Sequence, residues 1–428
     1  MSAGVILIVA LLVLMAIGVP VFFCISLSSA LMFVTTGLRS INAVAQKAVT
    51  GMDSFVLLAV PLFTLAGYIM ESGGLSERLV AWVEKLFGRV TGAAGMITIV
   101  CCAVFAALTG SGPATVAAIG AIMYPALQKA GYKQSTSAGM LAAGGALGPI
   151  IPPSVAMIVY GSTMSVSIPD MFIGGVIPGI IIAILFCILN YFIAKKEGVK
   201  KVDVHYSAKE ILSATLNALP VLFMPVLVLG GIYGGIFTPT EAATVCVLYS
   251  AVLSFIYKQL TLKKLWETIK RTIVSSATIA LVIGISSVFG LALASADIPS
   301  KIASALVPIL HNKTIFLLVL IAFLALVGTL MEALAAIVII APILSPIGIE
   351  LGCDPLHLGV LFCIILVIGF ITPPFGVNLF TAVSTTNTPY AKVVKGVWPF
   401  IIVGFIAVFL FAFVPETITW LPSLMNGG

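Results

Sequence analysis

Two short stretches, Gly110-Ser111-Gly112-Pro113 and Gly148-Pro149-Ile150-Ile151-Pro152-Pro153-Ser154, interrupt long apolar runs. Proline cannot donate a backbone hydrogen bond, and its ring clashes with the preceding helical turn. A helix that stops inside hydrocarbon leaves N–H groups unpaired at one end and C=O groups at the other. The N–H end carries partial positive charge and suits a carboxylate. The C=O end suits a hard cation such as Na⁺, which takes oxygen ligands. Thr109, Ser111, Thr115 and Ser154 place hydroxyls where either task would need them.

The pattern occurs twice. Gly-Pro-Ile-Ile-Pro-Pro at 148–153 returns as Gly-Phe-Ile-Thr-Pro-Pro at 369–374, an offset of 221. The same offset carries Pro125 onto Pro346, Gly131 onto Gly352, and the tip at 110–113 onto Met331-Glu332-Ala333-Leu334. The chain therefore reads as two duplicated halves, 1–200 and 205–428. One Na⁺ site is expected from Ser111, Gly112, Gly148, Ile151 and Pro152. Its mirror image is expected from Thr329, Glu332, Gly369, Thr372 and Gly376, giving two or more coupling ions. Pro113, Thr115, Ser154, Asn378, Thr381 and Ser384 are expected to face an anionic substrate. Glu332, at the second tip, is open to a site role or a capping role. Asp53, Glu71, Glu241 and Asp297 are expected at interfaces or in helix caps. No Lys or Arg is expected at the bilayer midplane, so helix ends, hydroxyls, amides and Na⁺ must hold the anion.

The elements that carry these breaks are spans. The chain has 428 residues, of which 61% are hydrophobic and 8% charged, and its mean hydropathy is +1.24. A soluble domain carries about 25% charged residues. The composition implies an all-α polytopic membrane protein, and alternating barrel-type segments are absent. In the first half we expect scaffold over 1–72, a re-entrant hairpin over 93–128, a broken helix over 135–166 and a span over 171–194. In the second we expect scaffold over 211–257, an interfacial helix over 258–271 and a span over 272–295. A hairpin over 314–346, a broken helix over 356–388 and a span over 396–414 follow. A weaker interfacial helix is expected over 38–52. The N-terminus has no basic leader and reads as a retained span.

Charge fixes the topology. Let both hairpins return to the side they enter, let both broken helices cross, and put the N-terminus outside. Then Arg39, Lys47, Lys301 and Lys313 lie outside and the other 17 of the 21 Lys and Arg lie inside. The positive-inside rule favours this arrangement, with the C-terminus also outside. The first hairpin then opens inward and the second outward, so the halves are inverted. Inverted repeats with discontinuous helices are a signature of secondary transporters, with substrate and ions near the midplane.

Enzyme chemistry is poorly served. The histidines are His205, His311 and His357, none paired in sequence with Ser111, and there is no HExxH or Walker motif for metal hydrolysis or ATP use. The seven cysteines form no CxxC pair and read as small apolar residues.

The stretches TGSGPATVAAIGAIMYPALQKAGY (109–132), GMLAAGGALGPIIPPSVAMIVYG (139–161), GFITPPFGVNLF (369–380) and PLFTLAGYIMESGGLSERLV (61–80) resemble the large membrane subunit of tripartite ATP-independent periplasmic (TRAP) transporters. The resemblance runs over essentially the whole chain. It implies an elevator-type architecture of the ion-transporter superfamily, in the bacterial inner membrane. It also implies sodium-driven uptake of a carboxylate, sialic acid being the best single guess. The partners implied are a small membrane subunit of about four spans, as a separate chain, and a soluble periplasmic substrate-binding protein. Many relatives have a Ser-rich first tip, where this chain has GSGP. A stand-alone sodium–dicarboxylate symporter of related hairpin fold is the alternative.

Overall fold

The computed structural model of the chain describes residues 3–19, 21–87, 90–199, 206–298, 301, 312–330 and 332–425. Arg89, Lys200, Lys201, His205, His311 and Met331 lie outside the described residues. The first half holds α1 (Ala3–Ala16), α2 (Val21–Thr36), α3 (Ile41–Met52), a 3₁₀ turn (Phe55–Leu58), α4 (Ala59–Ser72) and α5 (Leu75–Phe87). Then come α6 (Ala93–Thr109), α7 (Gly112–Lys129), α8 (Gln134–Gly145), α9 (Val155–Met164) and α10 (Ile168–Glu197). The second half holds α11 (Ala208–Tyr233), α12 (Pro239–Ile256), α13 (Leu262–Ser295), α14 (Lys313–Leu330) and α15 (Ala333–Glu350). It ends with α16 (Pro355–Gly369), α17 (Val377–Thr386), α18 (Tyr390–Phe413) and α19 (Glu416–Met425). No strand occurs among the described residues. Seven of the described helical segments are long and apolar enough to cross a bilayer, counting the 3₁₀ turn with α4.

Local chemistry sets the ends. Gly110 closes α6 in the left-handed conformation, with φ +61°, and its N–H bonds to the Ala106 carbonyl. Ser111 caps α7 by accepting from the Ala114 N–H, and Ser154 caps α9 by accepting from Met157. Capping boxes start α11 (Ser207 with Glu210) and α12 (Thr238 with Glu241). Glu241 is thus a cap, as expected of a charge beside a span. Both breaks fall where the double prolines are: residues 146–154 separate α8 from α9, and 370–376 separate α16 from α17.

Two expectations are revised. The interfacial helix over 258–271 is not a separate element, because α13 runs unbroken from Leu262 to Ser295 and absorbs it into the following span. No Gly or Pro interrupts 262–283, and Thr261 caps the start. In the second hairpin, α14 continues to Leu330 and α15 starts at Ala333, so the interruption falls at the tip expected from the repeat. Two short helices, α5 and α19, were not anticipated, being too short or too polar to read as spans.

Burial sorts the helices into layers. Every residue from Thr136 to Gly145 of α8 and from His357 to Gly369 of α16 is buried. These broken helices are the centre of the molecule. By contrast α1, α11 and α12 expose Leu12, Leu216, Val226 and Leu248, as lipid-facing helices do. The packing pairs exchange halves. Helix α2 packs on α13 and α12 on α4; α7 packs on α17 and α15 on α9; α8 packs on α18 and α10 on α16. Each pair maps onto its partner at the offset of 221. Tyr124 of α7 bonds Thr388 at 2.9 Å, and Ser345 of α15, at the position equivalent to Tyr124, bonds Tyr160 of α9 at 2.8 Å.

Candidate functional site

Both hairpin tips and both breaks open onto one cavity of about 510 Å³. Residues Thr109 to Ala114 supply the first tip and Glu332 to Leu334 the second. Pro149, Val155 and Ala156 come from the first break, and Phe370 and Val377 from the second. Gly112, Val155, Ala333 and Val377 are the first residues of α7, α9, α15 and α17. Four helix N-termini, two from each half, therefore meet at one space. Each contributes roughly half a positive charge and unpaired N–H donors. No Lys or Arg is among the described lining residues. Such a wall can bind an anion without a fixed cation.

The first tip is seated directly on its break. A Cβ on Gly148 would lie 2.6 Å from the Ser111 carbonyl, and a Cβ on Gly110 would collide with the Pro153 carbonyl. Only glycine allows the two irregular backbones to approach this closely. Thr115 donates to the Ser111 carbonyl at 2.8 Å and lies 3.3 Å from the Thr109 hydroxyl. Ser154 donates to the Pro149 carbonyl at 2.5 Å.

The expected site residues separate into two groups. Ser111, Gly112, Pro113 and Glu332 line the cavity. The Glu332 side chain makes no capping hydrogen bond, although its residue occupies the N-cap of α15. Thr115, Gly148, Ile151, Pro152, Ser154, Thr329, Gly369, Thr372, Gly376, Asn378, Thr381 and Ser384 do not line it. Thr329 and Thr381 each bond a carbonyl of their own helix, those of Leu326 and Val377, and Thr372, in the second break, bonds the Ile368 carbonyl at the end of α16. Ser384 is exposed in the later part of α17, away from the breaks.

Asn378 is the residue whose position differs most from expectation. It is fully buried, not on the cavity wall, and its Nδ2 donates to the Ala142 carbonyl of α8 at 3.3 Å. Its Oδ1 is buried with no hydrogen-bond partner among the described residues. A Cβ on Gly112 would lie 2.8 Å from that Oδ1. A side chain of the second half thus presents an orphaned oxygen to the tip of the first. Buried acceptors are ordinarily satisfied, and an unmet one calls for a cation or a donor. Around the second break, a Cβ on Gly376 would lie 3.1 Å from the Thr372 carbonyl and would collide with that of Phe370. Carbonyls crowd both breaks.

The scaffold side of the cavity was missed. Thr64, Gly67 and Tyr68 of α4 and Ser275, Thr278 and Ile279 of α13 complete the wall. The available signal was small: Thr64 with Tyr68, and Ser275 with Thr278, are polar residues at helical spacing on apolar spans.

Residues 8–417 match the family described as the tripartite ATP-independent periplasmic transporter, DctM component. The chain is 38% identical over 94% of its length to the isethionate TRAP transporter permease protein DctMQ of Oleidesulfovibrio alaskensis, but spans only 63% of that protein. It is 34% identical to the sialic acid TRAP transporter large permease protein SiaM of Vibrio cholerae, covering 96% of each chain. It is 36% identical to the C4-dicarboxylate TRAP transporter large permease protein DctM of Pseudomonas aeruginosa, covering 94% of each. Among solved structures, the Alcanivorax borkumensis YdaH transporter superposes with a TM-score of 0.63 at 15% identity over 86% of each chain. That likeness is one of fold.

Proposed function

The chain belongs to the DctM component of the tripartite ATP-independent periplasmic transporters, and from that premise we propose that it carries a small organic acid inward across the bacterial inner membrane, coupled to Na⁺. The observation that carries this reading is the meeting of four helix N-termini, from both halves, around a cavity with no basic side chain among its described lining residues. An anion held this way depends on the two tips keeping their shape. It is therefore held well in one state of the protein and weakly in another, as a carrier requires.

Na⁺ fits the residues present. The orphaned Asn378 Oδ1, with backbone carbonyls of the first tip and break, would hold one ion. The carbonyls of Phe370 and Thr372 at the second break would hold another. When bound, Na⁺ supplies positive charge beside the anion. Ser111, Thr115 and Ser154 brace the first tip and break, and Thr372 braces the second. We read the halves as inverted repeats, with both termini periplasmic. The hairpins and broken helices form the moving body, and α1–α4 and α11–α13 the scaffold on which it slides. The expected partners are a small four-helix membrane subunit, a periplasmic binding protein and the surrounding lipid.

The relatives named above carry isethionate, sialic acid and C4-dicarboxylates in their names. The shared chemistry is a small acid. Glu332 in the wall offers a hydrogen-bond partner to substrate hydroxyls. This favours a hydroxylated acid, such as N-acetylneuraminate or isethionate, over one without hydroxyls. The test is uptake into proteoliposomes holding the chain, its small subunit and its binding protein. N-acetylneuraminate, isethionate and succinate would be compared under an inward Na⁺ gradient. Uptake of one acid that needs both the gradient and the binding protein is expected. Uptake by the chain alone would favour the stand-alone symporter, and uptake indifferent to Na⁺ would end the coupling proposal.

A further inference from the structure

The scaffold wall of the cavity does not stop at Ser275 and Tyr68. Helices α4 and α13 pack together and run in opposite directions, and their polar residues face one another in steps. Thr64 and Thr278 lie on the wall, and Tyr68 and Ser275 lie on it about one turn further along. The next step is an ion pair, Arg271 to Glu71 at 3.6 Å, and the one after is Ser72 to Thr268 at 3.0 Å. Tyr68 joins the two regions. It lines the cavity, and the Arg271 guanidinium lies over its ring, 4.6 Å from the centroid. The Arg271 side chain is 55% exposed and that of Glu71 is 25% exposed. The chain has four arginines, and of the three that are described, Arg271 is the one beside the cavity.

We propose that Arg271 is an anion station at the cytoplasmic mouth of the cavity, where the substrate acid rests between the four helix N-termini and the cell interior. The station rests on the function proposed above and on the inside placement of Arg271 by the charge rule. A guanidinium presents paired donors that match a carboxylate or sulfonate. Glu71 is its competitor. An exposed ion pair is weak, so an arriving acid displaces Glu71 at little cost, and Glu71 in turn displaces the acid. The pair therefore draws the anion out of a wall that has no basic side chain without trapping it. Tyr68 keeps the guanidinium pointed across the mouth, and the Ser72–Thr268 hydroxyls continue the polar path below it.

The test uses the full chain with its seven native cysteines replaced, carrying Ser275→Cys. Its reaction rates with anionic sulfonatoethyl and cationic trimethylammonium-ethyl methanethiosulfonate are each divided by those of a free thiol. About threefold preference for the anionic reagent is expected, from one positive charge about one helical turn away. Adding Arg271→Gln should abolish the preference, Arg271→Lys should keep it, and Glu71→Gln should increase it. A ratio unmoved by Arg271→Gln, or no reaction at Ser275→Cys from the cytoplasmic side, overturns the station. Labelling needs no transported acid, so it stands even if none of the three acids is taken up and the functional reading falls. If labelling behaves as expected, Arg271→Gln should slow efflux of the transported acid by severalfold. Efflux unchanged in that variant overturns the station while leaving the functional reading intact.

Discussion

At the scale of single residues, the two sides of the site differ in what they ask of a side chain. The positive end of the cavity is made by four helix N-termini, so few substitutions remove its charge. The proposed ion side would depend on particular oxygens. Asn378 Oδ1 is fully buried and orphaned among the described residues, and it abuts the first tip from the other half. Asn378→Ala should raise the Na⁺ concentration for half-maximal uptake about tenfold, the loss of one buried polar contact of roughly 1.4 kcal/mol. The substrate concentration for half-maximal uptake at saturating Na⁺ should stay within about twofold. Unchanged Na⁺ dependence would remove Asn378 from the ion site. Ser111 acts differently, because its hydroxyl caps α7 while its carbonyl receives Thr115. Ser111→Ala leaves the carbonyl in place and costs about 1 kcal/mol of cap energy. A smaller rise in the Na⁺ requirement, about two- to fivefold, should follow in the same titration.

At the scale of elements, the breaks were legible because Gly and Pro interrupt apolar runs for reasons that are local to the chain. The double prolines at 152–153 and 373–374 sit inside the observed gaps between α8 and α9 and between α16 and α17. The continuity of α13 was not legible in the same way. A basic amphipathic stretch followed by an apolar one looks like a surface helix and a span, and only packing against α2, α3 and α4 makes them one rod. The position of Asn378 was illegible for a similar reason. Its partner elements, α7 and α8, lie in the other half, and the exchange of halves is a tertiary fact. Gly328 serves close packing of α14 on α16, where a Cβ on Gly328 would lie 2.7 Å from the Leu366 carbonyl. Gly328→Leu should therefore destabilise the protein by about 1–3 kcal/mol through overpacking. A fall in the thermal unfolding midpoint in detergent is expected, and an unchanged midpoint would mean that α14 can move away from α16 freely.

At the scale of the whole molecule, the exchanged packing joins the hairpins and broken helices of both halves, the group proposed above as the moving body. Helix α7 packs on α17 and α15 on α9, so on the proposed elevator reading each hairpin travels with the other half's broken helix. The scaffold touches this body at a seam, and Gly67 of α4 against Thr109 of α6 is one point on it. A Cβ on Gly67 would lie 3.2 Å from the Thr109 Cβ, whereas one on Gly120 of α7 would lie 3.8 Å from the Thr385 Cβ of α17. Disulfides need Cβ separations of about 3.5–4.5 Å, so either pair can be bridged with at most a few tenths of an ångström of adjustment. If the body slides past the scaffold as a unit, oxidising a Gly67→Cys, Thr109→Cys pair should stop uptake, and reduction should restore it. A Gly120→Cys, Thr385→Cys pair lies within the body, and its bridge should leave most of the uptake intact. The comparison isolates relative motion from local damage, since both bridges lie next to the same hairpin. Arrest by the α7–α17 bridge as well would mean that the halves move against each other. Uptake that survives the α4–α6 bridge would mean that this seam does not slip, and the elevator proposal would fail on the element it most depends on.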